Sequence, residues 1–401
     1  MLITMAVRNL TRNVRRTIAI LITVSLGTGS LFIFHGFNVG LMNQYRENTI
    51  HARYGHGQVN TKGYRDQVFQ KPSEHWITNW EELKLKLLKF PGVQQLFPRV
   101  TFSGLLTNGK ISIGGWGQGI DGAEESVFFN TLNIETGKNL STEEDGILLG
   151  KGLAAALNAK LGAQITVLGN TINGSMNAVD LNIVGIFHTG SKDFDDTVFR
   201  IPLRQAHILL DTNKVESVAV GLKNVDDWGS FSQKVMAEEG GLDATPFAIL
   251  DKVYYQNSVD WLNSQFGVIQ TIIVSIVVLG IFNTVSTGIM ERKQEIGNLR
   301  ANGESRNDVL KLLICEGFAL GIAGAFLGLL LGLVFVNTIL KNGILMPPAP
   351  GITRQFHILI ELQPKMAAIT FIMGVLASTF GAFLSALKVS RMQISAALRA
   401  I

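Results

Sequence analysis

The residues able to do chemistry crowd into one stretch, Glu291, Arg292, Glu295 and Arg300, followed by Glu316 inside an apolar run. Their types suit ion pairing and docking rather than covalent catalysis. A nucleotide-binding loop needs G-x-x-x-x-G-K-[ST], because backbone N–H groups and the lysine cradle phosphates. That string is absent: Gly109-Lys110 runs into Ile111, and Gly150-Lys151 into Gly152. If ATP drives this protein, another chain hydrolyses it. The glycine-rich run 114–119 has no dinucleotide-binding context and is expected to be a turn. His51 and His56 lie near Tyr54, and Asp193, Asp195 and Asp196 form a small acidic group expected in a solvated loop. A calcium loop needs more oxygen ligands at fixed spacing. No zinc-peptidase, serine-hydrolase or Cys/His constellation appears, so an enzyme has nothing to work with. Cys315 is the single cysteine, which excludes an internal disulfide.

Residues 291–303 read ERKQEIGNLRANG. Arg292 and Lys293 intersperse the acids Glu291 and Glu295, and Ile296 and Leu299, three apart, give an apolar ridge. Gly303 suits a helix C-cap, and a new helix is expected to start near Ser305-Arg306-Asn307-Asp308. The spacing predicts a short amphipathic helix along the membrane face, a turn, and then a span. Ionisable residues inside spans are expensive. Glu316 is therefore expected either to anchor the structure, by snorkelling or by pairing with a basic residue of the C-terminal segment, or to act in gating.

The elements that must position these residues are membrane spans. The chain has 401 residues, 47% apolar and only 16% charged, and the charge deficit is local. Four apolar runs, about Thr17–Phe37, Phe266–Ile289, Gly317–Val336 and Met366–Leu387, reach the ~20 residues that cross ~30 Å of hydrocarbon. The first run exceeds the usual ~7–15 residues of a signal-peptide core, and no A-x-A site follows it, which predicts an uncleaved anchor. Basic residues mark the inner side. Arg8, Arg12, Arg15 and Arg16 precede span one; Arg292, Lys293, Arg300, Arg306 and Lys311 separate spans two and three; Lys388, Arg391 and Arg399 follow span four. Both termini are then inside and residues about 45–262 outside. The basic residues flank spans instead of covering one face, which argues against a nucleic-acid partner. Polar helical stretches at 38–56 and before span two could form a stalk carrying the outer domain. His35 and Asn38 close span one, where interfacial solvation would account for them.

Span three carries Gly317, Gly321, Gly324, Gly328 and Gly332 at spacings that line one helix face. Small-x-x-x-small faces let helices approach closely in lipid. Gly374, Ala377, Gly381 and Ser385 of span four are expected to form the complementary face.

The outer region mixes strand-like runs (Gln94–Val100, Gly146–Leu149, Gln164–Leu168, Asp180–Phe187, Val215–Leu222) with helix-like runs (Trp80–Lys89, Gly152–Ala159, Leu203–Leu210, Trp228–Glu239). Asn79 is a candidate cap for the first of these helices. The fold class expected is an α-helical membrane protein with four transmembrane helices and a large extracytoplasmic α+β domain between helices one and two.

The run Glu291–Gly303 resembles the E-R-x-x-E-I-G-x-L-R-A-x-G signature of FtsX-like, MacB/LolC-type ABC transporter permeases. Glu316-Gly317, the glycine ladder and Ile394-Ser395-Ala396-Ala397-Leu398-Arg399 match it too, although the family's usual proline at that end is absent. So do Ile147–Ala154 and Ile183–Phe187 in the outer domain. The resemblance implies a division into segment 1–16 inside, span one and stalk 17–44, outer domain 45–262, span two 263–290, coupling helix and turn 291–311, span three 312–338, outer loop 339–365, span four 366–388 and an inner C-terminus 389–401. It implies a bacterial inner-membrane location, a second permease protomer (the same chain or a relative), and a pair of ABC ATPase subunits that hold ATP and Mg, this chain binding no cofactor itself. Glu291, Arg292, Glu295, Ile296, Gly297, Leu299, Arg300 and Gly303 would couple to the ATPase. Motion would pass through the stalk to the outer domain. The separate layout looks closest to the LolC/LolE type, which extracts lipoproteins and hands them to a periplasmic carrier chaperone. Efflux of peptides, lipids or amphiphiles with a periplasmic adaptor, and FtsX-like signalling to a wall hydrolase, stand as alternatives.

Overall fold

A computed structural model describes residues 14–67, 72–129, 132–140, 145–189, 191–252, 256–347 and 355–390. The C-terminal match at 394–399 lies outside them. In chain order the main elements are α1 (Val14–Thr49), a π-helical turn (Ile50–Tyr54), β1 (Gly57–Thr61), α2 (Trp80–Leu87), β2 (Val93–Thr107), β3 (Ser112–Ile120), α3 (Gly122–Phe128), β4 (Asn133–Gly137), β5 (Gly146–Gly150), α4 (Lys151–Ala156), β6 (Gln164–Asn170), β7 (Met176–His188), α5 (Lys192–Thr197), β8 (Val198–Pro202), α6 (Leu203–Leu210), β9 (Ser217–Leu222), α7 (Trp228–Glu238) and β10 (Leu242–Pro246). Four helices end the series: α8 (Asn257–Met290), α9 (Lys293–Ala301), α10 (Arg306–Thr338) and α11 (Pro364–Ser390).

The chain divides into two compact units. One holds the chain to Asn43, Asp260–Met346 and the residues from His357 onward; the other holds Gln44–Val259 with Pro347–Phe356. In the first unit, α1, α8, α10 and α11 are each long and apolar enough to cross a membrane. The helices outrun the apolar stretches: α1 continues past Phe37 to Thr49, and α8 begins at Asn257, ahead of Phe266. Ile20 and Val24 of α1, Ile281, Val285 and Ile289 of α8, Val309, Leu313 and Leu320 of α10, and Ala377, Ala382 and Ala386 of α11 pack into one core. Large apolar side chains such as Ile18, Ile22, Val268, Ile276, Phe326 and Leu376 stay exposed around it. Bilayer lipid is the solvent that suits them.

The second unit is α+β. β2 does double duty through its length. Its first half pairs with β9, in the order β10-β1-β9-β2. Its second half pairs with β3 and β6. β3 continues to β8, β8 to β5, β5 to β7 and β7 back to β6, so six strands close on themselves. Phe102, Leu106, Ile147, Leu149, Ile165, Val167, Leu181, Ile183 and Phe199 fill the ring. The flat part packs Val59, Leu96, Val218 and Val220 under Trp80, Leu83 and Leu87 of α2 and Trp228, Phe231 and Val235 of α7.

Three sequence expectations change here. The glycine-rich run 114–119 is a strand, not a turn. A Cβ on Gly117 would come within 2.4 Å of the Phe102 ring and one on Gly119 within 2.4 Å of Ala206, so the inward positions need glycine. The hydrophobic alternation that marks a strand is therefore missing from the sequence. Asp195 is not in a solvated loop: it is buried on α5, where it accepts hydrogen bonds from Thr189 N–H (2.9 Å) and Thr189 Oγ1 (2.7 Å) and meets His188 Nδ1 at 2.7 Å. Asn79 sits at the N-cap of α2, but its side chain makes no capping bond there.

Candidate coupling site and its supporting helices

Helix α9 is a two-turn segment fixed at both ends. Its start is tied to α8 through Arg292 N–H to Ile289 O (3.1 Å) and Glu291 N–H to Thr287 O (3.0 Å). Its end has Gly303 at φ +98°, a left-handed position that favours glycine. Glu304 N–H reaches back to Leu299 O (3.2 Å) and Gly303 N–H to Arg300 O (3.2 Å), the paired bonds of a Schellman stop. Ser305 then caps α10, accepting from Asp308 N–H at 3.2 Å. Helix, stop and restart are all as the residue order predicts.

The predicted coupling residues do not share one role. Arg292, Ile296 and Gly297 are buried, Glu295, Leu299 and Arg300 half-buried, and Glu291 and Gly303 exposed. Ile296 packs into the helical core with Val285, Ile289, Val309 and Leu313. Most of the signature therefore holds the segment in place. The face it leaves open carries Gln294, Asn298 and Ala301, spaced by four and three residues along one side. Sequence reasoning missed Gln294 and Asn298; their spacing opposite Ile296 was the available signal.

Arg292 is the hub. Its Nη1 donates to Glu316 Oε2 at 2.6 Å and its Nε to Glu295 Oε2 at 2.8 Å. Burial works against the Arg292 charge, but Glu316 and then Glu295 outweigh it, so its pKa is held above the ordinary value. The charge-assisted bonds join the connection after α8, the first turn of α9 and the second turn-pair of α10. Glu316 thus has a basic partner in Arg292, just ahead of α9; the basic residues Arg391 and Arg399 of the C-terminal segment, where the sequence placed its partner, lie outside the described residues. An arginine at the α9 N-cap can reach it; Glu316 follows Ser305 by three helical turns.

The glycine ladder divides between two neighbours instead of serving α11 alone. A Cβ on Gly317 would sit 2.3 Å from Ala382 Cβ, and one on Gly321 3.1 Å from Ser378 Cβ and Val375 Cα, all on α11. Gly324, Gly328 and Gly332 turn to α1: a Cβ there would meet Val24 Cβ at 2.7 Å, Thr28 Oγ1 at 2.1 Å and Phe32 Cδ1 at 3.2 Å. The five positions stay on one face of α10; the neighbour packed on that face changes along the axis, α11 beside Gly317 and Gly321 and α1 from Gly324 onward. Two hydroxyls use the closeness. Ser378 Oγ donates to Gly317 O (2.8 Å) and Ser25 Oγ to Gly324 O (3.0 Å). On α11 the residues against the ladder are Val375, Ser378 and Ala382; of the expected set, Gly374 meets Ala325 of α10 as well as Thr28 of α1, and Gly381 meets Phe282 of α8. Ser385 pairs with Ser286 of α8 at 2.6 Å.

At the other end of α1, Gly36 O accepts Glu361 N–H at 3.1 Å, and Gly36 and Gly40 leave room for residues 359–362. His35 and Asn38 are half-buried rather than solvated.

Comparison with known proteins agrees with this architecture. Residues 17–238 match the MacB-like periplasmic core domain and residues 267–394 the FtsX-like permease C-terminal domain. The lipoprotein-releasing system transmembrane protein LolE of Haemophilus influenzae is 27% identical over 283 residues, 65% of this chain and 65% of that protein. LolC of Neisseria meningitidis is 23% identical over 323 residues, 78% of this chain and 74% of LolC. A macrolide export ATP-binding/permease protein, MacB of Bdellovibrio bacteriovorus, is 24% identical over 181 residues, 41% of this chain and 28% of MacB. The match thus spans a little under two thirds of the LolE relative and far less of MacB. With both family domains in order along one chain, and four helices among the described residues long and apolar enough to span a membrane, this protein belongs to the FtsX/MacB/LolC-type ABC transporter permeases.

Proposed function

We propose that this chain is the permease subunit of an ATP-driven transporter that extracts lipoproteins from the inner membrane. A separate ABC ATPase docks on the cytoplasmic side against α9, and a second permease protomer completes the membrane part. The observation that carries the coupling role is the Arg292 bridge. A helix that only lay on the membrane would need no buried ion pair to the span beside it. Fixed to α10 by Glu316 and stopped by Gly303, α9 transmits a push as a lever, with Gln294 and Asn298 as the contact face.

ATP and Mg belong to the ATPase, and this chain supplies the docking helix and the moving spans. Helices α1 and α8, continued beyond their apolar stretches, would carry that motion outward as the stalk, with both termini on the cytoplasmic side. The lipoprotein cargo is favoured by the LolE and LolC relatives; efflux is the second reading, favoured by MacB. Depleting the protein and fractionating the envelope separates them. Outer-membrane lipoproteins stranded in the inner membrane support extraction. Normal lipoprotein sorting removes that cargo and leaves efflux of amphiphiles to be tested by their accumulation in the cell.

A further inference from the structure

The outer wall of the six-stranded ring carries an unguarded strand edge. β2 flanks Ser112–Gly114 on one side, while β8 joins β3 only from Trp116 onward. Among the described residues no strand pairs with Ser112–Gly114 on the other side. Natural edges are blunted by charge, proline or a covering segment. Among the described residues this one, Ser112-Ile113-Gly114, has none of these; the nearest charge along the sequence is Lys110, in the preceding turn. Gly114 adds a second sign. It has an ordinary φ, and a Cβ there would meet nothing within 4 Å, so nothing inside the chain demands glycine at this strand position. Glycine in a strand commonly marks the close approach of another backbone. Beside it, Trp116 (57% exposed), Leu105 (44%) and Met176 (77%) border an uncharged groove of about 450 Å³.

We propose that this edge pairs with the same edge of a second copy of the chain, extending the sheet across a twofold axis. The proposal rests on the permease acting as a dimer. Size selects the occupant. A three-residue edge with a shallow groove falls well below the ~1,200–2,000 Å² that stable independent association buries. It serves only a partner already held close by another attachment, as two protomers in one membrane are. The geometry also fixes a register. Ser112, Gly114 and Trp116 face outward and Ile113 and Gly115 inward, and a twofold axis normal to the sheet pairs only residues that face alike. β8 blocks pairing at Trp116, so the register that stays within the free strand sets Ile113 opposite Ile113 and Ser112 opposite Gly114. The same register brings Lys110 of one copy level with Trp116 of the other, a cation beside an exposed indole.

The test uses the full chain in membranes, with Cys315→Ser as background and two differently tagged copies expressed together. Ile113→Cys is oxidised against itself, and Ser112→Cys against Gly114→Cys. Ser175→Cys, exposed on the β6–β7 turn, is the control. Tagged copies that co-purify, with Ile113 and the Ser112/Gly114 pair cross-linking about tenfold or more faster than the control, support the edge. Copies that co-purify while those positions cross-link no faster than Ser175 overturn the edge and leave the dimer standing. Copies that do not co-purify overturn the dimer and the edge with it.

Discussion

Arg292 Nη1 lies 2.6 Å from Glu316 Oε2, joining the start of α9 to the inside of a span 24 residues further along the chain. Both side chains are buried, Arg292 at 7% and Glu316 at 5% exposure. Removing one member of such a pair leaves an uncompensated buried charge, which typically costs about 3–5 kcal/mol. Glu316→Ala is therefore expected to lower the thermal midpoint of the protein in detergent and to uncouple ATP hydrolysis. Glu316→Gln, which keeps a hydrogen-bond acceptor, is expected to lose less of both. Equal midpoints and full coupling for all three proteins would show that the bridge carries neither role.

The split glycine ladder gives a contrast between positions on similar helices. A Cβ on Gly328 would fall 2.1 Å from Thr28 Oγ1 and 2.5 Å from Ser25 O, whereas one on Gly280 of α8 meets nothing within 4 Å. Gly328→Ala should destabilise the helical unit by about 1–3 kcal/mol through overpacking. Gly280→Ala should be neutral or gain up to about 1 kcal/mol in helix propensity. Detergent unfolding curves of the two variants check the order.

In the outer unit, Glu125 of α3 holds two arginines. Arg99 makes a two-pronged pair with it, Nε to Oε1 at 2.6 Å and Nη2 to Oε2 at 2.9 Å, and Arg200 Nη1 approaches Oε2 at 4.0 Å. Arg99 also donates to Arg53 O, in the π-helical turn that follows α1, and stacks over Phe129 at 4.2 Å. Burial pushes the Arg200 guanidinium down to about 10. Glu125→Gln should cost about 3–5 kcal/mol, because Arg99 and Arg200 would be left buried with no counter-charge. Exposing the Arg53 carbonyl should follow, read as faster amide exchange around residues 50–54.

Asp251 supplies a pH test. Burial raises its pKa from 3.8 to about 6, with Arg53 opposing. The folded state then holds this proton more tightly than the unfolded chain, so its contribution to stability falls as pH rises from about 4 to about 6. Asp251→Asn should flatten that slope and raise the midpoint above pH 6, measured by thermal melts across the range. An unchanged slope would show that Asp251 titrates normally.

Much of the helical unit was legible because bilayer thickness speaks through the length and composition of the apolar runs. Glu291–Gly303 was legible because a helix stop and a restart need particular residues, Gly303 and Ser305. What escaped was tertiary. No local rule says that Arg292 would reach Glu316, or that Gly324 and Gly328 would turn to Ser25 and Thr28 while Gly317 turns to Ser378. The Ser-Leu-Gly-Thr-Gly run of α1 was the clue that span one offers a small-residue face of its own. In the outer unit, runs rich in Ile, Leu and Val announced β5, β7 and β9. β3 stayed hidden because glycine stands where alternating apolar residues would have marked it, and its inward neighbours Phe102 and Phe199 come from other strands. Asp195 looked solvated because its partners, His188 and Thr189, are gathered by the fold around it.

The coupling account turns on which side of α9 meets the ATPase. A photo-cross-linking residue placed at Asn298, at Gln294 or at buried Ile296, in membranes that also contain the cognate ABC ATPase, reads this directly. The account predicts cross-links to the ATPase from Asn298 and Gln294 and none from Ile296. No cross-link from either exposed position, with an assembled and active complex in the same membranes, would contradict it.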